Sequence, residues 1–146
     1  MYMGMLTTNP IIDCALLAWF LAQLIKVLLD LVVLRRFDAR RFVSSGGMPS
    51  SHSALVVACT TGIGKLYGVS GPHFALAVIF SAVVMYDACN VRRSAGDTAR
   101  LVNQMLEHME RITSEDFADS VREIMGHTPL QVLLGALLGL GVGLLV

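Results

Sequence analysis

The sequence predicts an all-α membrane protein with about four transmembrane helices and a cytoplasmic amphipathic helical hairpin, in a single membrane-embedded domain covering residues 1–146. Hydrophobic residues make up 55% of the chain and charged residues 15%, whereas a soluble domain carries about 25% charged residues. The mean hydropathy is +0.67. Net charge is zero, and no basic stretch is interleaved with aromatic residues, so no nucleic-acid partner is expected.

Four apolar runs predict the spans. The first run, 11–34, is long enough as a helix rising about 1.5 Å per residue to cross a bilayer. The second, 50–67, ends at the turn residues 68–72, and the third is 74–91. The fourth, 129–146, is close to the minimum length for a span.

Charges in the connections predict the orientation. Four arginines oppose one aspartate between spans one and two, a net charge of +3, and Arg92 and Arg93 follow span three. The turn between spans two and three carries no charge. The positive-inside rule then places both basic connections in the cytoplasm. The ends of spans one and three and the starts of spans two and four would all lie at that membrane face.

The segment 96–126 is polar enough to be a cytoplasmic helical segment. Its apolar residues recur at helical spacing at Leu101, Met105, Met109 and Ile112, and a second short helix is predicted around 117–125. We expect a hairpin covering the bundle, and the alternative is a lipid-sensing or lid role.

Three glycines spaced four apart in span four form a row on one helix face: Gly135, Gly139 and Gly143. Such a row lets another helix approach closely. The partner is either another span of the same chain or a second subunit, so a homo-oligomer through this face is one possible arrangement.

Span one carries a polar stripe, Gln23, Lys26 and Asp30, on one side of the helix. A charge at a helix centre costs about 2.5–3.5 kcal/mol on insertion scales, so the stripe should face the bundle interior. Lys26 either pairs with Asp30 or points toward a bound anion. Asp87, near the end of span three, is expected to pair with Lys26 or with the arginines that follow it.

Two histidines occupy helix entrances on the predicted cytoplasmic side. The segment 46–53 reads GGMPSSHS, with His52 inside it, and the segment 126–131 reads GHTPLQ, with His127 inside it. A helix N-terminus offers backbone N–H groups and a partial positive charge, which suit a phosphate. Histidine serves as nucleophile or acid near neutral pH. The two segments together predict a phosphate site at a membrane surface.

These residues resemble the type 2 phosphatidic acid phosphatase and vanadium haloperoxidase superfamily, and most closely its small divergent bacterial and plastid branch. The superfamily pattern is a lysine-to-arginine motif, then Pro-Ser-Gly-His, then Ser-Arg followed by His-x-x-x-Asp. Here 49–52 matches the second motif with serine in place of glycine, and 127–135 resembles the third. Lys26 with Arg35 or Arg36 is a loose counterpart of the first. The divergent branch is also similar at 46–49, 85–88 and 91–93.

The resemblance implies a lipid phosphatase, a hydrolase of phosphoric esters, in which His127 attacks phosphorus and His52 protonates the leaving oxygen. The phosphate-binding set that it implies is Lys26, Ser50, Ser51, Arg92, Arg93 and Arg122. The supporting set is Asp87, Asp30, Gly47 and Thr128. Neither a metal nor another cofactor is implied, and phosphate or vanadate would be the site ligand.

Two positions depart from the superfamily pattern. Arg122 lies five residues before His127, where the superfamily has six, so Arg92 or Arg93 is an alternative to it. Gln131 stands where a carboxylate is expected to hold the imidazole. Thr128 and Gln131 also fit a helix capping box, which would give Gln131 a purely structural role.

We therefore expect a metal-independent phosphatase in a bacterial plasma membrane, with its site facing the cytoplasm. Its substrate would be a lipid phosphomonoester or diphosphate, such as phosphatidylglycerol phosphate, phosphatidic acid or a polyprenyl phosphate. One alternative is a lipid phosphotransferase, in which an alcohol resolves the phosphohistidine. The other is a membrane scaffold or lipid-binding protein whose site is catalytically weakened at Gln131.

Overall fold

The computed structural model describes residues 6–34, 47–113 and 127–146, without the side chains of 92, 93 and 107–113. The described part is all-helical, as the sequence predicts, and no strand occurs in it. Its five helices are α1 (Pro10–Leu34), α2 (Ser51–Tyr67), α3 (Pro72–Cys89), α4 (Val91–Thr113) and α5 (Pro129–Leu145). The four helices predicted as spans agree with α1, α2, α3 and α5 to within two residues at each end.

Small side chains let α1, α2 and α5 pack closely. The core of the bundle contains Cys14, Ala18 and Ala22 of α1, with Ala54 and Ala58 of α2. Within each helix these residues recur every fourth position, which aligns them along one face. A stripe of small residues brings two helix backbones together, and this contact replaces the bulky core of a soluble bundle.

The glycine row of α5 packs against α2 of the same chain. A Cβ atom at Gly135 would overlap the backbone carbonyl of Ser50, and one at Gly139 would overlap that of Ala54. A Cβ at Gly143 would overlap the side chain of Thr61. Of the two partners left open by the sequence, the structure therefore shows a span of the same chain.

Hydroxyl groups join α2 to α3. The Thr60 and Ser81 oxygens lie 2.8 Å apart, and they lie 2.9 and 3.1 Å from the carbonyl oxygen of Val56, which accepts from one of the two hydroxyls while the other hydroxyl donates between them. These bonds satisfy polar groups inside the bundle. The opposite face of α3 exposes large apolar side chains, as a lipid-facing surface does: Leu76, Ile79, Phe80 and Val83.

The amphipathic helix begins earlier than the sequence suggested. We expected it from residue 96, but α4 starts at Val91, separated from α3 by Asn90 alone. Gly96 lies inside the helix, where a glycine costs only about 1 kcal/mol relative to alanine. Within the described part of the chain α4 packs on α3, and the hairpin that would cover the bundle stays a prediction. The predicted second helix, 117–125, lies outside the described residues.

Two described helices are long and apolar enough to cross a membrane, namely α1 and the stretch of α3 that continues into α4. The helix α5 is apolar but shorter, with 17 residues. The helix α2 also has 17 residues, and its C-terminal half contains threonine, glycine and lysine, which make it less apolar. The four-span topology therefore stays a prediction.

The close contact of α5 with α2 predicts which glycines of α5 tolerate a methyl group. Gly139→Ala should lower the free energy of unfolding by about 1–3 kcal/mol, because overpacking forces the two backbones apart. Gly141 is the matched control, since a Cβ there meets nothing within 4 Å. Gly141→Ala should be neutral or slightly stabilising. Thermal unfolding in detergent measures both variants, and equal stability of the two would contradict the packing.

Candidate functional site

Backbone hydrogen bonds bring the predicted site segments together at one end of the bundle. The N–H of Ser50, just before α2, donates to the carbonyl of Gln131 in the first turn of α5, at 2.9 Å. The N–H of His127 donates to the carbonyl of Ala88 near the end of α3, at 3.0 Å. The entrances of α2 and α5 are thus fixed to each other and to the end of α3.

This arrangement places the two histidines side by side. The ring centroids of His52 and His127 lie 6.4 Å apart, with an angle of 57° between the ring planes. His127 is buried, and His52 is partly buried. A tetrahedral oxyanion between two such rings can accept a hydrogen bond of about 2.8 Å from each. The separation therefore suits a single phosphate group.

The His127 ring is oriented by the first turn of α5. Its Nδ1 lies 3.2 Å from Oε1 of Gln131. The same Oε1 accepts a hydrogen bond from the backbone N–H of Thr128, at 3.0 Å, and the Thr128 hydroxyl accepts one from the N–H of Gln131. The capping box predicted from sequence is confirmed. Gln131 therefore both caps α5 and contacts the histidine, so its two suggested roles are compatible.

Because Nδ1 of His127 faces Gln131, the opposite ring nitrogen, Nε2, points away from that residue. Nε2 of His127 is buried, as is Nδ1 of His52. A glutamine oxygen that accepts from Nδ1–H selects the tautomer in which Nε2 carries the lone pair. In this tautomer Nε2 is the ring nitrogen of His127 whose lone pair is available for bonding.

Lys26 places a positive charge beside the first turn of α2. Its Nζ donates to Oγ of Ser51 at 3.2 Å and to Oε1 of Gln23 at 2.8 Å. All three side chains are buried. The prediction that the polar stripe of α1 faces the bundle interior is confirmed for Gln23 and Lys26, while Asp30, one turn further on, is half-buried.

Gly47 lies directly over the lysine stem. A Cβ atom at this glycine would stand 3.8 Å from Cγ and Cδ of Lys26. Its φ is +93°, in the left-handed region that L side chains rarely adopt. Glycine is therefore required by the backbone here, and the turn that it forms closes one side of the lysine's surroundings.

The two serines before His52 have different roles. Ser50 is the N-cap of α2, and its Oγ accepts from both the N–H and the hydroxyl of Ser53, at 3.4 and 3.0 Å. This shows a structural role for Ser50, and its expected phosphate contact stays a prediction. Ser51 is the first residue of the helix and contacts Lys26. The N–H groups of such a first turn have no acceptor within the helix, which makes them suitable donors to an anion.

Each remaining predicted site residue either has a position on a helix or lies outside the described residues. Asp87 is half-buried on α3, immediately before the residue that accepts from the His127 backbone, and its pairing with Lys26 or an arginine stays a prediction. Arg92 and Arg93 belong to the first turn of α4, and their side chains are outside the description. Arg122, Arg35 and Arg36 lie outside the described residues.

The sequence did not predict that Gln23 belongs to the site. The sequence placed Gln23 on the polar stripe but assigned it no part in the site. Its spacing of three residues from Lys26 was the available signal, since side chains at i and i+3 are neighbours on a helix. The carbonyl of Ala88 was also missed, although residues 85–88 resemble the divergent branch, because its position depends on where α3 ends.

The helical bundle and the paired histidines indicate a membrane protein of the phosphatidic acid phosphatase type, and comparison with known proteins agrees. The family model of the Divergent PAP2 family matches residues 7–142. The chain is 37% identical over 148 aligned positions to the uncharacterized membrane protein YuiD of Bacillus subtilis (strain 168), covering 94% of this chain and 93% of the relative. No solved structure matches. The chain therefore belongs to the Divergent PAP2 family, as the sequence motifs predicted.

The capping box at α5 predicts a measurable contribution from one hydroxyl. Thr128→Val removes the acceptor for the N–H of Gln131 and should lower the free energy of unfolding by about 1 kcal/mol. Thr98→Val on the exposed part of α4 is the matched control, because its hydroxyl donates only within its own helix, to Ser94. Thermal unfolding of both variants checks this, and an unchanged melting temperature for Thr128→Val would be the contrary result.

Proposed function

We propose that this protein is a metal-independent lipid phosphate phosphatase that hydrolyses its substrate through a phosphohistidine. The observation that carries the proposal is the pairing of His52 and His127, with the ammonium group of Lys26 bound to Ser51, the residue before His52. Membership of the Divergent PAP2 family supports the reaction class.

In the first step Nε2 of His127 attacks phosphorus in line with the ester oxygen. A nitrogen–phosphorus bond forms, the bond from phosphorus to the ester oxygen breaks, and protonated His52 gives its proton to that oxygen. The lipid leaves as an alcohol, or as a monophosphate if the substrate is a diphosphate. The contact from Nδ1 of His127 to Gln131 keeps the attacking ring in one orientation.

In the second step water attacks the phosphohistidine. His52, now neutral, removes a proton from the water, the nitrogen–phosphorus bond breaks, and inorganic phosphate leaves with His127 restored. The same histidine thus acts first as acid and then as base, which is possible because its unperturbed pKa is close to neutral pH.

Negative charge on the equatorial oxygens is stabilised by groups held in place before the substrate arrives. Lys26 supplies a full positive charge, and the first turn of α2 supplies its partial charge and N–H donors. Arg92 and Arg93 begin the helix that follows α3 and, with Arg122, are proposed as further ligands of these oxygens. Fixed donors of this kind stabilise charge without the reorganisation that water would require.

The surroundings of the site support a lipid as the proposed substrate. The site lies at the ends of apolar helices, where α3 exposes Val83 and α5 exposes Leu130 and Leu133. A lipid phosphate would keep its acyl chains beside these helices while its head group reaches the histidines. The positive-inside pattern favours the cytoplasmic leaflet. Phosphatidylglycerol phosphate, phosphatidic acid and polyprenyl phosphates all match this description.

One observation favours a second candidate, a catalytically weakened relative that binds lipid phosphates. The group next to Nδ1 of His127 is an amide rather than a carboxylate, and its oxygen is shared with the N–H of Thr128. An amide orients the ring but offers no negative charge to the cationic phosphohistidine. Turnover by the native chain is therefore expected to be slow.

Removal of either histidine should abolish turnover. For His52→Ala and His127→Ala, phosphate release should fall at least about a hundredfold, since general acid catalysis alone contributes about 10²–10⁴. A panel of lipid phosphates with a colorimetric phosphate readout, on protein purified in detergent, measures this. The matched control is His73→Ala, an exposed histidine at the other end of the bundle, which should keep full activity. Unchanged turnover in both site variants would refute the mechanism.

Restoring the carboxylate should accelerate the reaction. Gln131→Glu keeps the capping box and places a negative charge next to Nδ1 of His127, so kcat should rise by about tenfold or more. The helix should remain stable, because a glutamate in the first turn is favoured by the helix dipole. Comparison of kcat for the two proteins on the same lipid phosphate tests this. Absence of any phosphate release from the Glu variant would favour the non-catalytic candidate.

A further inference from the structure

A buried glutamine on α1 holds the site's lysine in place. Oε1 of Gln23 accepts a hydrogen bond from Nζ of Lys26 at 2.8 Å, and Nζ also donates to Ser51 at 3.2 Å. Gln23 and Lys26 are 3% and 2% exposed, so the bond is shielded from water. Shielding makes such a charge-assisted bond stronger than the same bond at a surface.

A lysine needs this kind of support more than most cations. Its ammonium group ends a flexible four-carbon stem that must lose considerable rotamer freedom to hold one position. Here the turn at Gly47 bounds the stem and Gln23 binds its tip. Both constraints direct the charge toward Ser51, at the entrance of α2.

The chemistry of the supporting group also matters. An amide oxygen is a neutral acceptor, so it orients the ammonium without cancelling its charge. A carboxylate at the same place would form an ion pair and compete with an incoming anion. Glutamine therefore suits a lysine that must bind a phosphate.

We propose that Gln23 is a positioning residue that directs the charge of Lys26 at the phosphate group of the substrate. This inference rests on the proposed function for the identity of the anion, but it concerns binding and not bond cleavage. Gln23 acts through Lys26 and does not touch the substrate. The effect of Gln23 on anion binding must therefore disappear when Lys26 is replaced.

The experiment measures orthovanadate binding to the full-length protein in detergent, with a double-mutant cycle. Gln23→Met keeps the length of the side chain and removes the acceptor, and Lys26→Met removes the charge. Gln23→Met should raise the Kd for orthovanadate about tenfold, in line with the loss of one hydrogen bond to a charged group. In the Lys26→Met background the same change should have no further effect, because the two residues act as one unit.

Two further variants separate positioning from packing. Gln23→Glu keeps an acceptor of the same length, so a purely structural role predicts native binding, whereas positioning predicts a Kd raised at least about tenfold because the added charge opposes the anion. If the Gln23→Met protein does not fold, the Gln23→Glu variant still tests the positioning role. Gln104→Met, at an exposed position on α4, is the matched control and should bind orthovanadate like the native chain.

Three results would overturn the inference: native affinity in both Gln23 variants, additive losses in the double variant, or no orthovanadate binding by the native chain. Failure of the proposed function looks different. A native chain that binds orthovanadate in a manner dependent on Gln23 and Lys26, yet releases no phosphate from any lipid, would refute hydrolysis and support the positioning role.

Discussion

The close approach of α5 to α2 is the constraint on which the rest of the structure depends. Gly135 sits against the carbonyl of Ser50, and one turn earlier the carbonyl of Gln131 accepts the N–H of that same serine. A side chain at Gly135 would hold the two helices apart and break this bond. Without it, the entrances of α2 and α5 would not meet, and His52 would not lie beside His127. The packing of small residues thus determines the chemistry at the end of the bundle.

The four-residue spacing that aligns the small residues of the packed helices also places polar side chains at the site. On α1 the small residues Ala18 and Ala22 are followed four positions later by Lys26, and on α5 the glycine row is preceded four positions earlier by Gln131. Each packed face therefore ends in a polar side chain on the same stripe. Because tightly packed backbones have few alternative arrangements, these side chains are held in fixed positions at the end of the bundle.

Much of this could be predicted from the sequence, because apolar runs, helix signals and charge patterns are local properties. The helix bounds, the capping box at Thr128 and the inward-facing stripe at Lys26 all follow from such patterns. Other features depend on tertiary contacts. The glycine row was compatible with two partners, the cap role of Ser50 depends on the position of Ser53, and the early start of α4 was hidden by Gly96. Only the packed structure decides these points.

In the proposed mechanism, His127 is the residue that receives the phosphoryl group. The most direct measurement is to mix the Gln131→Glu protein with a radiolabelled lipid phosphate, stop the reaction with base, which preserves phosphohistidine, and map the labelled residue by mass spectrometry. The account predicts label on His127 that is released by acid and is absent from His127→Ala. Label on His52, on Ser51 or on any other residue, or phosphate release without a labelled histidine, would contradict it.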